Sequence, residues 1–219
     1  MRENFFEKTR LSLLQALMVM GCLVIILNEA QVAMAQWVSH GPEGGSIYAL
    51  AIDPQTPATL YAGHRWGVFK SSDGGGSWTP VNTGLPSAYV WTLAIDPQKP
   101  STLYAGTYSR NGVFKSSNGG GSWSAVNSGL TSSFVLTLAI HPQTPTTLYA
   151  GTGGGGAFKS SDGGGSWTAI NSGLMSSAVL ALVIDPQTPA TLYAGTYWGG
   201  VFRSSNGGGI WTGIESPRY

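Results

Sequence analysis

The octapeptide SSDGGGSW at residues 71–78 recurs three more times along the chain with small changes. The copies are SSNGGGSW at 116–123, SSDGGGSW at 160–167 and SSNGGGIW at 204–211. Successive tryptophans of these copies are 44 or 45 residues apart. A repeat of that length is typical of propeller blades that are built from four short strands each.

A second motif repeats in step with the first. AIDPQTPATLYAG at 51–63 returns with small changes at 94–106, 139–151 and 183–195. Each unit contains four strand signals, and no segment after residue 36 has helical periodicity. The sequence therefore predicts an all-β chain of four four-stranded antiparallel blades. The expected blades cover about 47–81, 90–126, 135–170 and 179–214.

The glycine-rich octapeptide joins the third and fourth predicted strands of each unit. A calcium loop needs several oxygen ligands, whereas each copy offers one carboxylate at most. A phosphate loop needs a lysine and a following helix, whereas a strand follows here. The preferred interpretation is a structural turn. Its Asp or Asn accepts backbone hydrogen bonds, its glycines permit positive φ, and its Trp packs on its own sheet.

The pattern S-x-[DN]-x-G-x-[ST]-W, once per blade, resembles the Asp-box (BNR) repeat. That repeat occurs in sialidases, sortilin-type receptor domains, xyloglucanases and photosystem II assembly factors. The resemblance covers residues 37–214, departs from the pattern at Ile210, and implies a β-propeller whose boxes are structural and lie away from the active face. The residues so assigned are Ser71, Asp73, Gly75, Trp78, Ser116, Asn118, Gly120, Trp123, Ser160, Asp162, Gly164, Trp167, Ser204, Asn206, Gly208 and Trp211.

The N-terminus has the three parts of an export signal. A basic start precedes an apolar run at 11–27, and Ala33-Met34-Ala35 provides the small residues of a cleavage site. We therefore expect a signal helix within a signal peptide at 1–35, a mature chain at 36–219, and secretion or export to the periplasm. The alternative is a membrane anchor facing outside the cytoplasm, although the run is at the short limit for crossing a bilayer.

The composition limits the classes of molecule that the protein is expected to bind. After residue 36 the chain has eight basic and seven acidic residues and no cysteine, so no strong field attracts nucleic acid. The three histidines show no metal-ligand spacing, and no cofactor or metal is expected. GTGGGG at 151–156 precedes a strand and not a helix, which argues against a dinucleotide site.

The number of blades raises the question of closure. An extra outer strand is expected near 37–40, where Trp37 resembles the outer-strand pattern, and it competes with the last strand of the fourth blade. We expect an open arc, that is, a partial propeller, which could pair into an eight-blade homodimer. A strained closed ring of four blades and a fragment of a larger propeller remain the alternatives.

Catalytic residues are not evident. Five of the seven carboxylates repeat with the blades, and only Glu43 and Glu215 stand outside the repeat, at opposite ends of the chain. Glycoside hydrolysis usually needs two carboxylates that flank one bond. The sequence therefore favours a protein without catalytic activity but leaves the question open. The alternative is a fragment of a xyloglucanase-like or sialidase-like glycoside hydrolase.

The loops between the second and third strands vary while the scaffold repeats. By strand parity they lie at the same end of the blades as the linkers between blades, opposite the glycine-rich turns. Aromatic and arginine side chains there suit a protein or glycan ligand. The function predicted is a non-catalytic binding or scaffold protein. The candidate ligand-binding residues are His64, Arg65, Trp66, Tyr108, Arg110, Tyr197 and Trp198.

Overall fold

The computed structural model describes residues 41–42, 44–86, 89–108 and 111–214. The expected signal peptide, the strand expected near 37–40, and Glu43, Arg110 and Glu215 lie outside the described residues. Within the described ranges the regular structure consists of β-strands. No helix there is long and apolar enough to cross a membrane.

The sixteen strands form four consecutive sheets of four. Blade 1 contains β1 (Ile47–Ile52), β2 (Leu60–His64), β3 (Gly67–Ser71) and β4 (Thr79–Pro80). Blade 2 contains β5 (Val90–Ile95), β6 (Leu103–Thr107), β7 (Val113–Ser116) and β8 (Ser124–Ala125). Blade 3 contains β9 (Val135–Ile140), β10 (Leu148–Thr152), β11 (Ala157–Ser160) and β12 (Thr168–Ala169). Blade 4 contains β13 (Val179–Ile184), β14 (Leu192–Thr196), β15 (Gly200–Ser204) and β16 (Thr212–Gly213).

Each sheet is an antiparallel meander in chain order. The first strands of the blades contact one another in sequence, β1 with β5, β5 with β9, and β9 with β13. Among these described strands, β1 and β13 have no contact of comparable extent. The prediction of an all-β, open arc of four blades is therefore confirmed.

The connections sort into two ends of the blades, as strand parity predicts. At one end, the loop between the second and third strands bonds to a linker between blades: Gly112 N donates to Ser133 O, and Gly156 N to Ser177 O. We call this the loop end. At the other end, which we call the turn end, the glycine-rich turn meets the D-P-Q turn, and Gly163 N donates to Thr146 O.

The hydrophobic core lies between the blades. Three clusters of buried side chains occur, and each combines residues of two consecutive blades. In the cluster between blades 1 and 2, Tyr61 and Val68 of blade 1 pack with Val90, Leu103 and Phe114 of blade 2. The apolar residues that the sequence repeats therefore stabilise the joints between repeats, as in other arrays whose stability comes from neighbouring units.

In blades 2 to 4 the tryptophan of the glycine-rich turn connects the blade to the one before it. Trp123 Nε1 donates to Val81 O at 2.8 Å, across the boundary between blades 1 and 2. Trp167 and Trp211 make the same bond to the carbonyls of the preceding blades, at 2.8 and 2.7 Å. The expectation that this Trp packs on its own sheet is thus incomplete, because a buried indole needs a hydrogen-bond acceptor and the preceding blade supplies it.

A glycine in each linker makes this docking sterically feasible. Gly84 has a φ of +81°, and a Cβ built on it would clash with the carbonyl oxygen of Trp123. Gly129 and Gly173 stand in the same relation to Trp167 and Trp211. The linkers therefore need glycine both for the positive φ and for the close approach of the next blade.

Candidate ligand-binding face

Five aromatic side chains lie in a continuous row at the loop end of blades 1 to 3. In order along the row, the ring centroids of Tyr89 and Tyr48 are 5.9 Å apart, and those of Tyr48 and Trp91 are 4.8 Å apart. Trp91 and Tyr108 are separated by 5.2 Å, and Tyr108 and Phe134 by 5.3 Å. We call these five residues the aromatic row.

Two members of the row owe their position to a β-bulge. The ladder between β1 and β2 shifts register between Ile47 and Ala49, and the ladder between β5 and β6 shifts between Val90 and Thr92. Tyr48 and Trp91 are the residues skipped by these ladders. Because a bulge re-aims a side chain at the end of a strand, it can turn a residue of an inner strand towards the loop end.

The row is accessible to solvent. Tyr89, Trp91 and Tyr108 are each 37–46% exposed, and Tyr48 and Phe134 are half-buried. Tyr48 and Trp91 stack with an interplanar angle of 20°, while the other neighbours are tilted by 32–61°. Contiguous exposed aromatic surface of this kind is rare on a soluble protein without a binding role.

Backbone hydrogen bonds hold the row in place. Tyr108 N donates to Tyr89 O at 2.9 Å, and Gly153 N donates to Phe134 O at 2.9 Å. Below Tyr108, the buried Thr107 Oγ1 donates to Gly112 O at 3.0 Å and closes the loop between β6 and β7. The described loop residues that carry these rings are therefore tied to neighbouring linkers.

The candidates predicted from the sequence do not form a single group. Tyr108 belongs to the aromatic row, and Arg110 lies outside the described residues. Arg65 and Trp66 form a separate pair at the loop end of blade 1, with the Arg65 guanidinium carbon 4.4 Å from the centroid of a Trp66 ring. Both side chains are exposed and can reach a ligand.

His64 is placed differently from what its candidate role requires. It is fully buried beneath Trp66, and its Nδ1 accepts a hydrogen bond from Trp66 N at 3.2 Å. Burial, together with the charge of Arg65, lowers the pKa of His64. Its Nε2 is buried without a hydrogen-bond partner in the described part of the chain. His64 therefore supports the loop in a neutral form and does not face solvent.

Tyr197 and Trp198 form an exposed pair on blade 4. Their ring centroids are 4.8 Å apart in a T-shaped arrangement, and Trp198 is 85% exposed. Tyr197 N donates to Ala178 O, which places the pair at the loop end. The loop end thus carries the aromatic row on blades 1 to 3 and this pair on blade 4.

At the turn end, the side chains are used for local structure. Asp73 Oδ1 accepts bonds from Ser71 Oγ and Ser77 N at 2.7 and 2.9 Å, and Asp73 Oδ2 accepts one from Ser77 Oγ at 2.6 Å. Asn118 Oδ1 accepts the equivalent bonds from Ser116 Oγ and Ser122 N, both at 2.9 Å. The amide oxygen of Asn118 therefore keeps both Oδ1 bonds, while its Nδ2 donates to Ser122 Oγ at 3.0 Å where Asp73 Oδ2 accepts from the Ser77 hydroxyl.

In the D-P-Q turns, too, the first side chain accepts backbone hydrogen bonds within its own turn. Asp53 Oδ1 accepts from Gln55 N at 2.8 Å, and in blade 3 His141 Nδ1 accepts from Gln143 N at 3.3 Å. Gln55 Nε2 reaches Gln98 O of the next blade at 3.2 Å, which links neighbouring turns. All carboxylates of the described residues thus belong to one of these two turn types, and none lies beside the aromatic row.

Hydrogen bonding accounts for the acidity of these groups. The Ser166 hydroxyl and amide and the Ser160 hydroxyl, which donate to the Asp162 carboxylate, lower its pKa to about 2. The bonds from Ser77 and Ser71 lower the pKa of Asp73 in the same way. These carboxylates are therefore ionised acceptors at neutral pH and unsuited to act as general acids.

Metal binding finds no support in this part of the chain. No group of three or more His, Cys, Asp or Glu side chains in the described ranges is arranged to hold an ion. The aromatic row offers Tyr hydroxyl groups and ring surfaces, which suit an uncharged organic ligand better than a cation with oxygen ligands.

Known proteins resemble the chain in structure. None of the protein-family models and none of the curated proteins matches the sequence. An ancestral GH74 enzyme aligns with 84% of the chain and 25% of its own length, with a TM-score of 0.70 and 27% identity. The GH74 xyloglucanase of Xanthomonas campestris aligns with 77% of the chain and 29% of its own length, with a TM-score of 0.60 and 21% identity.

A third similar structure is an extracellular domain from a two-component system of B. thetaiotaomicron. It aligns with 84% of the chain and 26% of its own length, with a TM-score of 0.63 and 17% identity. The chain therefore spans between a quarter and a third of the length of these structures. Together with the four meander sheets and their open arrangement, these likenesses identify the fold as that of a partial β-propeller.

Proposed function

We propose that the protein is a non-catalytic, secreted or periplasmic binding domain that holds a neutral glycan along its aromatic row. The observation that carries the proposal is the row itself, five consecutive rings across three blades, three of them 37–46% exposed. Rings of Tyr and Trp bury large apolar areas against a ligand and offer a polar group at one edge.

The shape and charge of the row favour an extended, uncharged ligand. The rings follow one another at steps of 4.8–5.9 Å, so a linear chain of sugars can contact several of them at once. The carboxylates of the described residues lie at the turn end, where they bond within their own turns. A neutral polysaccharide therefore fits the row better than a cationic partner does.

Two of the likenesses support the class of ligand and the location. The similarity to GH74 enzymes, one of them a xyloglucanase, makes a β-glucan the first ligand to test. The similarity to an extracellular domain agrees with the export signal expected at 1–35. We further propose that the four glycine-rich turns are Asp boxes, since Ser, Asp or Asn, Gly and Trp make the same contacts in the three complete joints.

Isothermal titration calorimetry with xyloglucan oligosaccharides tests the proposal. We expect Trp91→Ala to weaken binding about tenfold or more, because a buried aromatic contact contributes on the order of 1–3 kcal/mol. Met175→Ala is the matched control, since Met175 is an exposed apolar residue in a linker at the same end, outside the row. Trp66→Ala and Trp198→Ala test the flanking candidates, for which we expect smaller losses.

The same purified protein distinguishes glycan binding from glycoside hydrolysis and from protein binding. Release of reducing ends from xyloglucan would contradict a non-catalytic role and favour a glycoside hydrolase. No heat with any neutral glucan, together with Trp91-dependent capture of a protein from the cell envelope, would show that the row binds a protein instead.

A further inference from the structure

The two ends of the described arc expose surfaces whose counterparts are buried or half-buried at the three joints between blades. On blade 1 the side of β1 that points away from blade 2 carries Leu50 and Ile52, which are 66% and 57% exposed. Their counterparts Leu93 and Ile95 on β5 pack against the cluster between blades 1 and 2. Together with Ile47 and Trp78, these residues form what we call the leading face.

The opposite side of blade 4 is exposed in a complementary way. Val201 is 47% exposed, whereas its counterparts Val68 and Val113 are completely buried by the following blade. Ile214, the counterpart of Val81, is also 47% exposed. With Tyr193 and Arg203 these residues form what we call the trailing face.

The polar groups of the two faces match those of the internal joints. Inside the chain, Tyr104 Oη and Lys115 Nζ donate to Gly163 O of the next blade, at 3.1 and 3.0 Å. Tyr193 and Arg203 are paired across β14 and β15 at the same positions, and within the described residues no glycine-rich turn follows them. The corresponding acceptor on the leading face is the carbonyl of Gly74, in the turn of blade 1.

Trp78 differs from the other three tryptophans because no blade precedes blade 1 within the described residues. Its Nε1 donates to Gly75 O of its own turn at 3.2 Å, and the side chain is half-buried. The other three donate across a joint at 2.7–2.8 Å and are nearly buried. On the trailing face, Ile214 O occupies the place of the acceptor Val81 O.

We propose that the trailing face of one copy of this protein binds the leading face of a second copy, head to tail, and repeats the internal joint. The internal joint indicates what the binding partner must present. It must have an apolar first strand, a glycine-rich turn and a Trp arranged as they are in the next blade. A second copy provides all three. If two such contacts close around a two-fold axis, the product is a ring of eight blades, and if they do not close, longer chains form.

Light scattering on the purified, exported protein at tens of micromolar tests the proposal. We expect a mass of two or more chains for the unmodified protein and of one chain for both Leu50→Glu and Val201→Glu. Met175→Glu, which changes an 88% exposed residue outside both faces, should leave the mass unchanged. Far-ultraviolet circular dichroism spectra that match that of the unmodified protein verify that the variants are folded, since both substituted positions are exposed.

A mixing experiment identifies the head-to-tail arrangement. Leu50→Glu retains an intact trailing face and Val201→Glu retains an intact leading face, so a mixture of the two single-chain variants should form pairs. A pair of identical faces predicts instead that only one variant dissociates and that mixing restores nothing. That outcome, or a single-chain mass for the unmodified protein, overturns the proposal.

Discussion

The role of the tryptophan in the joints can be tested by comparing two copies of the same motif. Trp167→Ala removes a nearly buried side chain that packs in the joint between blades 2 and 3 and donates to Val126 O. Truncating a buried Trp or Phe to Ala typically costs about 3–5 kcal/mol. Trp78→Ala removes a half-buried ring whose indole, among the described residues, bonds to its own turn, so its cost should be nearer to the average of about 1 kcal/mol for point substitutions.

The expected difference between the two variants is therefore about 2 kcal/mol or more in the free energy of unfolding. Urea denaturation followed by far-ultraviolet circular dichroism gives this quantity from the midpoint and slope. A Val201→Glu background prevents assembly from contributing to the apparent stability. Equal losses for Trp167→Ala and Trp78→Ala would show that each Trp acts within its own blade, and would refute the docking across the joint.

Other predictions concern the turn end and the N-terminus. Asp73→Ala should lower the urea midpoint, whereas Asp73→Asn should be nearly silent, because Asn118 keeps both Oδ1 bonds and pairs with the Ser122 hydroxyl through its Nδ2; a marked loss with Asn would contradict this. Because hydrogen bonds lower the pKa of Asp162 to about 2 from an unfolded value of about 3.9, the stability that it contributes is present above about pH 4 and is lost as the pH falls towards 2. Urea midpoints between pH 5 and 2 measure this loss, which should be smaller in Asp162→Asn. Adding calcium should not change the melting temperature, and a calcium-dependent shift would revive a metal site. Intact-mass measurement of the exported protein should give a chain that begins at Gln36, whereas a product that keeps Met1 would indicate an anchor.

The sequence predicts the blades well because each strand and turn motif occurs four times. D-P-Q turns end the first strands, and four copies of each turn agree on where the chain reverses. Strand parity alone then separates the loop end from the turn end, as the hydrogen bonds Gly112 N to Ser133 O and Gly163 N to Thr146 O confirm. The local sequence is sufficient to predict these strands and turns because each of them depends on its own residues.

The aromatic row was missed because it depends on two bulges. Tyr48 and Trp91 lie within apolar first strands, and a regular ladder gives no reason to turn them towards the loop end. The bulges re-aim these residues. One signal was available, since the second position of this strand is Tyr, Trp, Leu and Leu in the four blades while its neighbours vary less.

The partners of the tryptophans could not be predicted for a related reason. A Trp at the end of a turn satisfies its indole either within its own blade, as Trp78 does, or on the preceding blade, as Trp123 does. The choice depends on whether a neighbouring blade is present. Sequence spacing does not contain that information, and only the packed arc distinguishes the two.

Hydroxyl-radical footprinting with and without a xyloglucan oligosaccharide tests the central claim, that the ligand binds the aromatic row at the loop end. Mass spectrometry then gives the oxidation of individual exposed side chains. The account predicts protection of Trp91 and Tyr108, with unchanged oxidation of Met175 in the linker and of Ile210 at the turn end. Protection of Ile210 with no change at Trp91 would place the ligand at the opposite end of the blades and contradict the account.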